Sequence, residues 1–298
     1  MSAPVGFVGL GQMGGSMARK LADWPGGLVV SDVRSDATEW FREHGATIAA
    51  SPAEVAAAAG HVSIAVLDDK QVAEVVAGPE GVLSTAAPGT VVAIHSTIDA
   101  ATAESLARAA EKVGVHVVDA PVSGGAMGAR GGTLAVMVGG SDEAFEAVRE
   151  PFSRFSDKVV HAGPVGSGTR MKLARNLLHF VSFTAATEAQ RLAEAAGLDL
   201  EALGDVVRHS DAVTGGPGSI MLRPTAARIE DGDPWLPILS HVRDLGEKDL
   251  SLALAVADGY GVDLPLARRA LAELGDGLGV GAGPLADPAP PSSRSNDD

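Results

Sequence analysis

Within its first 34 residues the chain carries a pattern that few folds accommodate. Val5-Gly6-Phe7-Val8 reads as a short buried strand, and Met13 to Ala22 has helical spacing. Between them Gly9, Leu10, Gly11, Gln12, Met13 and Gly14 set three glycines in the order G-x-G-x-x-G. Glycine lets such a turn close and lets backbone approach a pyrophosphate, while free N–H groups at the helix start attract its charge. A second apolar run, Leu28-Val29-Val30, leads to Asp32, about 20 residues past the turn, where an acid would grip ribose hydroxyls. Glycines alone could merely tighten a turn. Strand, triplet, helix, strand and terminal acid in one register point to a dinucleotide. Asp32 favours NAD because its carboxylate would repel a 2′-phosphate; Arg34 leaves NADP open because it could pair with one.

The same alternation continues to about residue 163. β-Branched runs at Val62–Leu67, Val91–Ile94, Val115–Val118, Leu134–Val138 and Lys158–His161 are separated by helical, alanine-rich stretches at Ala53–Ala59, Asp69–Ala77, Ala100–Val113 and Glu143–Phe155. Such β-α alternation predicts a doubly wound, largely parallel sheet of the Rossmann type, covered on both faces. After Gly163-Pro164 the character changes. From Ser167 to Ala196 there is neither proline nor glycine apart from Gly168, and apolar residues recur at helical spacing. Met171, Leu173, Leu177, Leu178, Val181, Phe183 and Leu192 are expected to be buried along one long helix that links two domains. Further helices are expected at Glu201–His209, around Ile220–Arg228, at Arg243–Tyr260 and at Leu264–Leu274. The domains read as 1–163, α/β and dinucleotide-binding; 164–283, all-α; and 284–298, a disordered Pro/Ser/Asp tail.

Composition narrows the function classes. A formal charge of −15 argues against nucleic acid or an anionic membrane as partner, so a site for an acidic ligand must gather positive charge locally. With no cysteine there is no disulfide, thiol nucleophile or cysteine-based metal site, and the eight histidines show no paired ligand spacing. No apolar run reaches the roughly 18 residues of a membrane helix. The first strand opens at Val5, so no leader is expected. A cytoplasmic protein is the expectation.

Four further groups carry possible chemistry. Asp119-Ala120-Pro121-Val122-Ser123-Gly124-Gly125 follows a strand, and Ser123 with the Gly124 and Gly125 N–H groups could cradle a carboxylate. An ordinary turn with Ser123 capping a helix would read the same way. Lys172 and Asn176, at i and i+4, share a helix face flanked by apolar residues. A desolvated lysine trades a proton near neutral pH, though a solvated helix pair has the same spacing. Thr97 and Leu67-Asp68 fall near strand ends, where caps are equally common. Lys248-Asp249 could be a surface ion pair.

These blocks resemble the β-hydroxyacid dehydrogenase family, which includes 3-hydroxyisobutyrate dehydrogenase, tartronate semialdehyde reductase and, more distantly, 6-phosphogluconate dehydrogenase. The resemblance runs from Val5 to about Ala272. It rests on GFVGLGQMGGSMA, on HSTI at 95–98, on DAPVSGGAMGARGGTLAVMVGG at 119–140, on GSGTRMKLARN at 166–176 and on EKDLSLAL at 247–254. It implies a nicotinamide cofactor on the first domain and a small carboxylate-bearing substrate held between the domains. It implies Lys172 as catalytic acid/base, and Ser123, Gly124 and Gly125 on the substrate carboxylate with Asn176 on the reacting oxygen. Thr97, Leu67 and Asp68 would line the cofactor and Lys248 would close over it. The chain departs from the family pattern at His95, Asp68 and Arg175. Related imine reductases usually lack the lysine, so Lys172 counts against that branch. The implied reaction is reversible oxidation of a small β-hydroxy acid. A reductase of another carbonyl or imine, or a silent NAD-binding scaffold, are the alternatives. The long apolar helix predicts a homodimer or homotetramer.

Overall fold

The computed structural model describes residues 3–286. The expected tail at 284–298 is described only at its start, and its residues 287–298 lie outside the described residues. The chain divides into two compact units between Asn176 and Leu177, inside the long helix.

The first unit alternates β1 (Val5–Val8), α1 (Gln12–Arg19), β2 (Leu28–Ser31), α2 (Ser35–Glu43), β3 (Thr47–Ile48), α3 (Pro52–Ala58), β4 (His61–Ile64), α4 (Asp69–Ala77), β5 (Val91–Ile94), α5 (Ala100–Glu111) and β6 (His116–Asp119). It continues through β7 (Val122–Ser123), α6 (Gly125–Gly131), β8 (Leu134–Gly139), α7 (Asp142–Ser153) and β9 (Ser156–Gly163) into α8 (Ser167–Ala195). The strands form one sheet in the order β3-β2-β1-β4-β5-β6-β8-β7, with β9 paired to β8. From β3 to β6 every pairing is parallel, while β8 runs antiparallel to β6 and β7. The sheet is thus α/β and doubly wound, as expected, with a reversed edge that the apolar runs alone do not disclose.

Side-chain alternation along these strands supplies both cores. Phe7, Val30, Ala93 and Val118 face one layer with Met17 of α1, Phe41 of α2, and Val148 and Phe152 of α7. Val8, Val29, Val62, Ile64, Val92 and Ile94 face the other with Val55 of α3, Val72 and Val76 of α4, and Leu106 of α5. Strands buried on both faces belong to parallel sheets, because the crossover helices must lie over them. With β1, β2, β4, β5 and β6 all parallel, their carboxyl ends share one edge, and ligands of open α/β sheets bind there.

The second unit is helical. Beyond α8 it holds α9 (Leu200–Thr214), α10 (Trp235–Tyr260) and α11 (Pro265–Gly277). The helix expected around Ile220–Arg228 is absent. Gly215 and Gly216 take positive φ, a short 3₁₀ turn covers Gly216–Ile220, and the chain then runs irregularly through Pro224, which cannot continue a helix. The expected burial of α8 also fails: Leu173 is 50%, Leu177 69% and Phe183 54% exposed, and only Leu178 and Leu192 of the named set are half-buried. Helical spacing identifies an apolar stripe but not its cover. The buried core of this unit is small, comprising Leu254, Ala257, Leu264 and Leu271. Two buried carboxylates knit it together. Glu188 accepts the Leu266 and Ala267 N–H groups at 2.8 and 2.9 Å, capping α11. Glu247 accepts those of Gly283 and Leu285, which pins residues 283–285.

Candidate active site

Five strand ends assemble the site of the first unit. After β1 the backbone turns at Gly9, whose φ of 89° lies in the left-handed region where a β-carbon is strained. A side chain at Gly14 would run into the Gly9 carbonyl, whereas one at Gly11 would meet nothing within 4 Å. Gly14 therefore serves helix–turn packing, and Gly11 faces open space at the start of α1. Among the described residues no side chain caps α1, and its first turn carries no acid, so its N–H groups are available to an anion. Leu10, Gln12 and Met13 complete the turn, with Leu10 buried and Gln12 exposed. This cradle fits a dinucleotide pyrophosphate.

Asp32 stands just past β2, as expected, but its carboxylate is already engaged. One oxygen accepts the Leu10 N–H at 2.6 Å and the other the Arg34 N–H at 2.8 Å, and the side chain is only 8% exposed. Asp32 therefore tethers β2 to the glycine turn, and any ribose hydroxyl must use its remaining lone pairs. Arg34 is exposed, with Nε 3.6 Å from Asp32.

After β4, Leu67 is exposed and Asp68 caps α4 by accepting the Gln71 N–H at 2.8 Å. After β5, Ser96 donates to the Val66 carbonyl and accepts its N–H, locking the two strand exits together, and Thr97 stands exposed beside it. Leu67, Asp68 and Thr97 thus share the sheet edge with the glycine turn. Lys248 belongs to the second unit and pairs with Asp249 at 3.1 Å on an exposed surface.

A reading by residue type passes over Asp119 as part of a motif. At the end of β6 its fully buried carboxylate accepts the Gly166 N–H at 2.7 Å and the Thr169 N–H at 2.6 Å. Burial raises its carboxyl pKa against these hydrogen bonds, which lower it. Gly168 fits the same junction because a side chain there would lie 2.6 Å from the Asp119 carbonyl oxygen. The start of α8 is thereby bolted to the sheet, one turn before Lys172. The available signal is the acid at a strand terminus followed by glycines at 166 and 168.

Lys172 is 8% exposed among the exposed Met171, Leu173 and Arg175. Among the described residues no carboxylate lies within 4 Å of its ammonium. Burial, followed by the positive charge of Arg175, lowers its pKa below the usual lysine value. Asn176 is half-buried on the same helix face, and its Oδ1 accepts from Arg175 Nη1 at 3.3 Å. Ser123 lies in β7 opposite Ala135, and no side chain caps the following helix, so Ser123 is not a cap. Gly124 and Gly125 take φ of 129° and 62°, and a side chain at Gly125 would enter open space.

Beneath the site runs a buried polar chain. His95 Nδ1 lies 2.8 Å from the Ala120 carbonyl and so must donate, leaving Nε2 as acceptor for the Ser63 hydroxyl at 3.0 Å. Ser63 in turn accepts from His61 Nε2 at 3.0 Å, and His61 Nδ1 has no partner among the described residues. Burial lowers His61 to about 3, helped by His95, and His95 to about 4. Both rings are neutral and structural. Among the described residues no His/Asp/Glu cluster suits a metal.

Residues 4–163 match the model of the NAD-binding domain of 6-phosphogluconate dehydrogenase. Residues 166–276 match that described as NAD-binding of NADP-dependent 3-hydroxyisobutyrate dehydrogenase. The chain belongs to the β-hydroxyacid dehydrogenase family. It is an oxidoreductase that uses NAD or NADP. An uncharacterised oxidoreductase of Mycobacterium tuberculosis is 59% identical over 93% of both chains. A 3-hydroxyisobutyrate dehydrogenase of M. tuberculosis, solved with L-serine, is 29% identical over 93% of this chain and 94% of that one, with a TM-score of 0.65. An imine reductase of Streptomyces aurantiacus, 20% identical over 94% and 96%, shares the fold at a TM-score of 0.71.

Proposed function

We propose that the protein reversibly oxidises a small β-hydroxy acid to its semialdehyde or keto acid. The observation that carries this is Lys172, a buried amine with lowered proton affinity and no carboxylate partner among the described residues, on a helix bolted to the nucleotide sheet through Asp119. A group that releases its proton readily serves as base in one direction and acid in the other. In oxidation, neutral Lys172 takes the hydroxyl proton at Nζ; in reduction, its ammonium returns one to the carbonyl oxygen. The nicotinamide, when bound, supplies the two-electron chemistry of hydride transfer. The turn from Gly9 to Gly14 holds its pyrophosphate, Asp32 and Arg34 flank the ribose, and Leu67, Asp68 and Thr97 border it along the sheet edge. Ser123 with the Gly124 and Gly125 N–H groups holds the substrate carboxylate, and Asn176 steadies the reacting oxygen. The shared fold of an imine reductase does not favour imine chemistry here, because Lys172 answers the need of an alcohol for a base.

The test is Lys172→Ala assayed by nicotinamide absorbance against small hydroxy acids and semialdehydes. Turnover should fall roughly 10²–10⁴-fold, while NADH binding, read by fluorescence, persists. Near-wild-type turnover would overturn the mechanism.

A further inference from the structure

Lys172 and Arg175 place two cations three residues apart on α8, close enough that the guanidinium depresses proton affinity at the amine. Like charges at this spacing repel, so the pairing costs stability unless an anion answers it. Among the described residues neither side chain has a carboxylate within 4 Å. This holds in a chain whose acidic residues outnumber its basic ones by 38 to 23. Arg170, earlier on the same helix, shows the contrast: its guanidinium meets Glu104 at 2.7 Å. The only side-chain acceptor of Arg175 among the described residues is the Asn176 amide oxygen, at 3.3 Å. That contact turns one edge of the guanidinium toward the residue pair proposed to handle the reacting group, and among the described residues its other N–H groups have no protein acceptor. Arginine offers five donors in a planar fork suited to a carboxylate.

We propose that Arg175 binds a second acidic group on the substrate, so that the preferred substrates are β-hydroxy acids with two carboxylates. One carboxylate goes to Ser123, Gly124 and Gly125; the other meets the Arg175 fork. This assignment rests on the β-hydroxy acid reading, because it takes Lys172 and Asn176 to face the reacting carbon. The mirror arrangement, an arginine waiting for an internal acid, would leave substrate choice independent of residue 175.

Two matched acids test this on the full chain. 2-(Hydroxymethyl)succinate differs from 3-hydroxyisobutyrate only in carrying a second carboxylate on the methyl group. Wild type should show a higher kcat/KM for the di-acid, and Arg175→Gln should reduce the di-acid to mono-acid ratio at least tenfold, the scale of one charge-assisted hydrogen bond. Arg175→Lys should recover part of it. A ratio within twofold of wild type in Arg175→Gln overturns the proposal and leaves the β-hydroxy acid reading standing. Calorimetry on the NADH-loaded protein uses the unreactive pair methylsuccinate and isobutyrate, and so reads Arg175 without turnover. Arg175-dependent preference for methylsuccinate with neither hydroxy acid oxidised supports the binding role while removing the reaction. Equal binding of the two, or binding of neither, overturns the proposal.

Discussion

At Lys172 the surroundings do the chemical tuning. Loss of water around the amine and the neighbouring guanidinium both act against the ammonium form, so both lower the pKa. The sign fixes the pH dependence. In the proposed mechanism oxidation uses the neutral amine, so its rate should climb with pH and level off at an apparent pKa below the ordinary lysine value. Reduction needs the ammonium and should decline through the same point. Arg175→Gln removes one of the two causes, and the inflection should move upward in both directions; a stationary inflection in pH–rate profiles would remove Arg175 from the electrostatics of the amine. His61 and His95 follow a different sign. Their folded values of about 3 and about 4 lie beneath the unfolded value of about 6.5, so protons bind the unfolded chain better. The stability they contribute is whole above pH 6.5 and is lost as pH falls toward 4, at about 1.4 kcal/mol per pH unit for each ring. Imidazole ¹⁵N spectra at pH 5 should show both rings neutral, and a ring titrating near 6.5 would contradict the hydrogen-bonded chain.

Among the elements, α8 owes its placement to Asp119 and to the glycine at 168. Asp119→Ala strands two buried N–H groups, and the loss should be about 3 kcal/mol, visible as a lower denaturant midpoint. Asp119→Asn keeps one acceptor and should restore part of the stability, with kcat reduced more than KM because the lysine helix is no longer held in register. Equal kinetics in Asp119→Asn and wild type would confine Asp119 to folding. Much of this architecture is legible in residue order. Long apolar runs and alanine-rich spacers disclose β1, β2, β5 and α4 because burial on both sheet faces leaves no other reading. The two-residue strands β3 and β7 escape because they are too short to show alternation. Helix α6 escapes because its glycines at 125, 128 and 131 mimic a loop. At the candidate site, residue types single out Lys172 and the glycine turn as candidates, whereas the engagement of Asp32 by Leu10 depends on how a strand end curls over its neighbour. The cover of the apolar stripe on α8 has no signature in spacing at all.

For the molecule as a whole, the small core of the second unit carries a consequence for assembly. Leu177, Phe180 and Phe183 of α8, Val206 and Val213 of α9, and Met221 all remain more than half exposed. Apolar exposure on this scale exceeds what isolated surface residues need, and association would remove it from water. We expect a homodimer or homotetramer of the 30.1 kDa chain, read by sedimentation, and Phe180→Asp should shift the distribution toward the single chain. A monodisperse monomer at micromolar concentration would contradict it. Among the described residues no helix is long and apolar enough to cross a membrane. The paired imidazoles under the sheet also set the conditions in which the protein can serve. An enzyme whose scaffold must stay proton-poor inside is tied to surroundings near neutrality, and acidification below the ordinary imidazole range would weaken its framework as well as its chemistry.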